Sequence, residues 1–352
     1  MTSRHLGLLL LLAVACDGPD AVDAGTRVDA APMDGATATD AMIADAGPSD
    51  GGSERLDAPA TPDCLPGDFS GTWEGDARVS AACGPYLLGA ATIRGRLVVD
   101  PGVVVHLTAQ VTVEGGVDIG AGAELACVFD AATYGTFLVV AGTSVVRGTP
   151  DAPVLFTRTE VTGFNNACGL SFERADVDHA NFQSTPPSFG GGSTIHDSIF
   201  DPSGNGGDRT FVTVAAGVVL EHNRFDEAEL RGRGFTARLN HFDGEEHAGV
   251  WICALCGDGS DSCTGTRAVS ADVVIEDNVF DTLPSDEVFT VGRTFGEVRG
   301  PGNHFPRGGP TRPDAWSGGT TGCAGDGLGA YGGPLVLTPV ASTAPPSYGP
   351  RR

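Results

Sequence analysis

The chain contains no lysine. All 21 basic residues among its 352 are arginine, which removes Walker-type phosphate loops, Schiff-base catalysis and any lysine general base. Positive charge is scarce overall: 45 aspartates and glutamates set a net charge of −24, and so acidic a surface repels nucleic acid and anionic headgroups. Cations and basic or neutral partners remain compatible with it. Tryptophan and tyrosine number only 3 and 4, little material for an aromatic platform under a sugar chain. No stretch offers a capped amphipathic helix of three turns, and nothing after Ala15 is long and apolar enough to be a transmembrane helix.

What is abundant is glycine, 52 residues, set between short β-branched runs. Leu97-Val98-Val99-Asp100-Pro101-Gly102-Val103-Val104-Val105 is followed by Val111-Thr112-Val113-Glu114-Gly115-Gly116-Val117-Asp118-Ile119-Gly120. Runs of this length, cut by Gly, Asp and Pro, read as brief strands joined by tight turns. Further on, a unit aligned on phenylalanine recurs: VDHANFQ from Val177, IHDSIFD from Ile195, LEHNRFD from Leu220, ARLNHFD from Ala237, IEDNVFD from Ile275 and GPGNHFP from Gly300. A period of about 20 residues is the mark of a solenoid, in which each copy is a coil that buries its neighbour's apolar face.

The repeat assigns roles to its positions. The phenylalanines and the apolar residues five before them, Val177, Ile195, Leu220 and Ile275, point inward. Asn223, Asn240, Asn278 and Asn303 stand two before Phe and are expected to form a ladder, each amide bonding the next coil where the backbone bends. Asp201, Asp226, Asp243 and Asp281 follow Phe and are expected to mark the turn out of the strand. Successive phenylalanines lie 18, 25, 17, 38 and 25 residues apart. The interval of 38 holds either two coils or one coil with an insertion at 248–268, where Cys253, Cys256 and Cys263 suit a disulfide-pinned loop.

Val139-Val140-Ala141-Gly142-Thr143-Ser144-Val145-Val146-Arg147-Gly148-Thr149-Pro150-Asp151-Ala152-Pro153-Val154-Leu155-Phe156-Thr157 is similar to the opening coils of bacterial parallel β-helix surface proteins. The Asn/Phe copies resemble later coils of the same pectate-lyase-like architecture. The resemblance covers about 88–305 and implies an all-β fold, a single-stranded right-handed parallel β-helix with short caps. It says almost nothing about function. The expected organisation is an N-terminal cap at 64–87, the β-helix with its insertion and C-terminal cap at 88–340, and a disordered tail at 341–352.

Upstream, Arg4 and His5 precede an apolar run from Leu6 to Ala15, the pattern of a secretory signal. Ala13-Val14-Ala15-Cys16 resembles a bacterial lipobox, with Ala13 where that motif usually has Leu. The resemblance implies a signal peptide at 1–15, acylation of Cys16 and attachment to a lipid bilayer, the outer membrane or cell surface rather than the inner membrane. An ordinary cleaved signal is the alternative. Residues 16–63 lack aromatics and, after Cys16, carry 11 acidic against 2 basic residues, so a disordered acidic tether is expected. Setting Cys16 aside leaves Cys64, Cys83, Cys127, Cys168, Cys253, Cys256, Cys263 and Cys323, enough for four disulfides in an exported protein. A Cys64–Cys83 bridge would suit the cap. Cys253, Cys256, Cys263 and Cys323 as a four-thiolate zinc site is the weaker alternative.

For function, three classes stand open. A structural or adhesive surface protein needs no site and leads. An enzyme, a polysaccharide lyase or glycoside hydrolase, would draw on the acidic patch of Asp226, Glu227, Glu229, Asp243, Glu245 and Glu246, with Arg231 and Arg233 near. The same patch has donors for calcium, whereas Asp258-Gly259-Ser260-Asp261 matches a calcium loop poorly. A non-catalytic carbohydrate binder would use Trp251. No cofactor or structural metal is expected, and His222, His241 and His304 read as exposed turn residues.

Overall fold

The computed structural model describes residues 63–128, 135–159, 168–201, 210–232, 234–244, 249–252, 272–282, 289–291, 298–307, 335–336 and 341–352. The tether, Cys16, Glu245, Glu246, Arg233 and the remaining cysteines beyond Cys168 lie outside them. Every described element is a strand, and all strand pairings are parallel. The fold is a parallel β-helix, as the repeat predicts.

Each coil contributes up to three short strands, so the coils stack into three faces. The first face runs through Val79, Val99, Ile119, Val146, Val177, Ile195, Leu220, Ala237 and Ile275, which are Cα partners from coil to coil. The second begins with Tyr86, Val105 and Leu125 and continues as Phe156, Phe182, Phe200, Phe225, Phe242 and Phe280. The third includes Ile93, Val113, Val140, Phe172 and Phe189. Alternation along each strand sends these residues inward, and every one of them is buried.

The phenylalanines form a continuous stack. Centroids lie 4.7 Å apart for Phe156–Phe182, then 5.0, 4.8, 4.6, 4.6 and 5.3 Å down to Phe305, with near-parallel planes throughout. Phe242 is the direct partner of Phe280. The long interval therefore holds one coil with an insertion, and because Gly249–Ile252 is a strand of the third face, the insertion begins only after Ile252. Trp251 belongs to that strand.

Two expectations at the ends need correction. Residues 64–87 are not a separate cap: Asp63–Cys64 and Asp68–Trp73 pair with Ala77–Val79 and Tyr86–Ile93 as the first coils. Tyr86, Val105 and Leu125 stand in the row that Phe fills later, which hid the repeat. Residues 341–352 are not a free tail. They run back along the stack, with the Ala341 N–H on the Asn303 carbonyl at 2.9 Å, the Gly349 N–H on the Leu239 carbonyl at 2.9 Å, and Tyr348 edge-on to His241.

Coils approach closely along Gly75, Gly95 and Gly115, where the Gly95 N–H bonds Gly75 and the Gly115 N–H bonds Gly95, both at 3.0 Å. A Cβ on Gly115 would stand 2.5 Å from the Gly95 carbonyl carbon, so no larger residue fits without moving backbone. Disulfides join Cys64 to Cys83 and Cys127 to Cys168. Closing loops of 19 and 41 residues, each bridge is expected to contribute about 2–4 kcal/mol. Reduction should thus lower the thermal midpoint, and a midpoint indifferent to reductant would contradict both.

Candidate functional site

The bend between the first and second faces is made by one residue in the left-handed region in each coil. His179, Asp197, His222, Leu239 and Asp277 have φ of 51, 53, 57, 57 and 55°, and Gly302 continues the row at 74°. Such a bend interrupts the strand pairing and leaves backbone groups to be satisfied. The next residue, Asn in four of these coils and Ser in one, does this. Oδ1 of Asn240 accepts the Asn223 backbone N–H at 2.9 Å and its side-chain N–H at 3.0 Å, while the Asn240 amide donates to the Leu220 carbonyl at 3.1 Å. Asn278 and Asn303 repeat the pattern. All four asparagines are fully buried. Toward the N-terminus Ser198 takes the same place, its N–H bonding Asn223 Oδ1 at 3.0 Å and its hydroxyl accepting from the Ala180 N–H.

Of the carboxylates that follow Phe, Asp201 and Asp226 end their strands, whereas Asp243 and Asp281 are followed by a further strand residue. Asp226, Asp243 and Asp281 form an outward column on the second face, because Phe points inward and its neighbour must point out. Arg224 bonds Asp226 at 2.9 Å and Asp243 at 2.8 Å, and Arg307 bonds Asp281 at 2.6 Å. Burial raises the Asp226 carboxyl, Arg224 opposes it, and Asp243 adds to the rise. Glu229 does not join this column. It lies on the third face, 4 % exposed, with Arg231 at 2.8 Å, and Glu227 occupies the corner between the two faces with φ 47°. The acidic patch is thus split between faces, and Asp226, Glu229 and Asp243 are each bonded to arginine.

A different group converges instead. Outside the bend, Asp178, His196 and Glu221 are coil-to-coil partners, and beside them run His179, Asp197 and His222. Acid and imidazole alternate in both columns. His196 Nδ1 lies 3.0 Å from Asp197 Oδ2 and 3.3 Å from Asp178 Oδ1, and His179 Nδ1 bonds Asp178. The C-terminal arm closes over them: the Arg351 N–H meets Asp197 Oδ1 at 2.8 Å, its Nε meets the same oxygen at 2.9 Å, and the guanidinium also bonds Oδ2. The Asp197 side chain is 2 % exposed. Burial alone would raise its carboxyl, but the Arg351 bonds and His196 outweigh this and hold it well below the usual carboxylate range. Beneath the arm lies a cavity of about 280 Å³ whose lining includes Asn181, Arg224 and Arg352.

Sequence reasoning missed this cluster and read its His222, like His241, as exposed. His222 is 7 % exposed, not an exposed turn residue, and its Nδ1 has no partner. His241 lies in the strand His241–Gly244 under Tyr348. The adjacent pairs Asp178-His179, His196-Asp197 and Glu221-His222 in three consecutive copies were the available signal. Comparison of the chain with protein-family models, curated proteins and solved structures finds no match in any of the three, so the residues themselves carry the functional argument.

Burial, with the Arg351 guanidinium, holds His222 below the usual imidazole range, and burial lowers His241 too. A folded-state value below the unfolded value of about 6.5 stabilises the fold above that pH, and the contribution is lost as pH falls through the folded value. Acidification from about pH 7.5 to 5 is therefore expected to lower the thermal midpoint, and His222→Asn to flatten that decline. An identical pH dependence in the variant would contradict the assignment.

Proposed function

We propose that the chain is an exported, lipid-anchored protein of pectate-lyase-like architecture whose β-helix is a rigid scaffold for structural, adhesive or surface-binding roles, without catalysis. The observation that supports this most is the engagement of the acidic residues. Arg78–Asp100, Arg96–Asp118, Arg147–Asp176, Arg238–Glu221 and Arg224–Asp243 join neighbouring coils, and within the acidic patch Asp226 and Glu229 pair with arginines of their own strands. Individually such exposed pairs contribute about 0–1 kcal/mol. Two disulfides favour an oxidising compartment, and Ala13-Val14-Ala15-Cys16 supplies the anchoring motif. The bilayer is one partner, through acylated Cys16; a surface polysaccharide is another.

Mass analysis of the protein from the membrane fraction should find acyl chains on an N-terminal Cys16, and Cys16→Ser should release it. An unmodified N-terminus would overturn the anchor. A second reading, a polysaccharide lyase or glycoside hydrolase, is favoured by the raised Asp226 carboxyl beside Asp243. A panel of acidic polysaccharides separates the two: the scaffold reading expects no reducing or unsaturated sugar, and release abolished by Asp226→Asn and Asp243→Asn would replace it.

A further inference from the structure

We propose that His179 makes the C-terminal arm a pH-operated strap, which closes more firmly over the bend and its cavity when the imidazole takes up a proton. Two contacts of one ring carry the inference. His179 Nδ1 bonds the Asp178 carboxylate, and its Nε2 lies 3.3 Å from the Arg351 carbonyl oxygen. Carboxylate and carbonyl only accept. A neutral imidazole has a single N–H and can serve one of them; the imidazolium serves both, and its second bond is the one that holds the arm.

The neighbouring groups do not supply this switch. Arg351 and Asp197 form a guanidinium–carboxylate pair that holds Asp197 well below the usual carboxylate range, so both stay charged from neutral pH well into acid. His196 Nδ1 sits 3.0 Å from Asp197 Oδ2 and 3.3 Å from Asp178 Oδ1, and Nε2 lies 3.9 Å from Asp176, so its contacts are with carboxylates of the coils. Asp176 and Glu221 are paired with Arg147 and Arg238, and Arg224 and Arg352 line the cavity with His179. His222 works in the opposite sense, because Arg351 disfavours its charged form.

Proton and arm are therefore linked: closure favours the charged His179, and the charged His179 favours closure. The extra hold is present below the imidazole range and is lost as pH rises through it. Among the described residues no hydrogen bond ties 342–347 to the coils, so the arm depends on the contacts of Gly349 and Arg351 near its end. Below it lies the cavity of about 280 Å³, to which the arm contributes Pro350, Arg351 and Arg352. The inference is independent of whether the chain is lipid-anchored or catalytic.

The test is hydrogen exchange of the full, oxidised chain, read at the Gly349 and Arg351 N–H groups that bond Leu239 and Asp197 and corrected for the unprotected rate at each pH. Protection should rise about tenfold from about pH 8 to about pH 5.5, as a charge-assisted bond is gained, while the core strand Arg224–Asp226 shows no such rise. In His179→Asn the rise should vanish; asparagine accepts the left-handed φ of 51° at this position, so the bend is kept. Asp178→Asn should flatten it too, since an amide no longer forces the ring proton onto Nδ1 and neutral His179 can then bond the arm. Arm protection that is flat or falls toward acid, a rise shared by the core strand, or a rise that survives either variant would overturn the proposal.

Discussion

Phe225→Ala is expected to destabilise the protein by about 3–5 kcal/mol, the usual range for removing a buried phenylalanine. Its ring is fully buried between Phe200 at 4.8 Å and Phe242 at 4.6 Å, so truncation opens a gap inside a continuous column. The stack restrains collapse, because its neighbours are tied to their own coils by strand pairing. At about 2–4 °C for each kcal/mol, the thermal midpoint should fall by about 10 °C. Phe225→Leu, which keeps most of the volume, should cost less than half as much. A loss below about 1 kcal/mol for the alanine variant would show that the rings do not stack as described.

Asn240→Ala follows, at about 2–4 kcal/mol. Its side chain accepts two bonds from Asn223 and donates one to the Leu220 carbonyl, all in the interior. Removing it strands a buried backbone N–H and a buried carbonyl, and each unsatisfied group costs about 1–3 kcal/mol. Asn240→Asp discriminates further. It retains the accepting oxygen but loses the donor and buries a charge facing a carbonyl, so it should be at least as damaging as alanine. If aspartate were tolerated as well as asparagine, the ladder would not be what holds the bend.

These rows were legible in the sequence because each repeats once per coil: Phe on the inward side of the second face, Asn just after the bend. Val177, Ile195, Leu220 and Ile275 were legible for the same reason, and all are fully buried. The first coils were hidden because Tyr86 and Val105 fill the row without matching its residue type. The acidic patch was misread because neighbours in sequence diverge in space. Asp226 points out from the second face, Glu227 turns the corner, and Glu229 stands on the third.

The His–carboxylate cluster escaped for the converse reason. Asp178 and His196 are separated by 18 residues and become partners only through the register, and Arg351 reaches Asp197 from 154 residues away. Nothing in the composition of residues 341–352 signals docking. The arm has few apolar side chains and is held by scattered backbone bonds and one ion pair to the buried Asp197 carboxylate, features visible only once the bend exists. That is also why the tail read as disordered.

The central claim is that coils stack in register across intervals of unequal length, with the 38-residue interval spanned by a single coil. A double-mutant cycle between Asn240 and Asn278 tests it most directly. These residues are 38 apart in sequence, yet the Asn240 backbone and side-chain N–H groups both bond Asn278 Oδ1, at 2.9 and 3.0 Å. Alanine at both positions should show a coupling energy of at least about 1 kcal/mol, whereas the Asn223 and Asn303 pair, which are not adjacent in the ladder, should be additive. Additivity between Asn240 and Asn278 within about 0.5 kcal/mol would contradict the stacking of these coils.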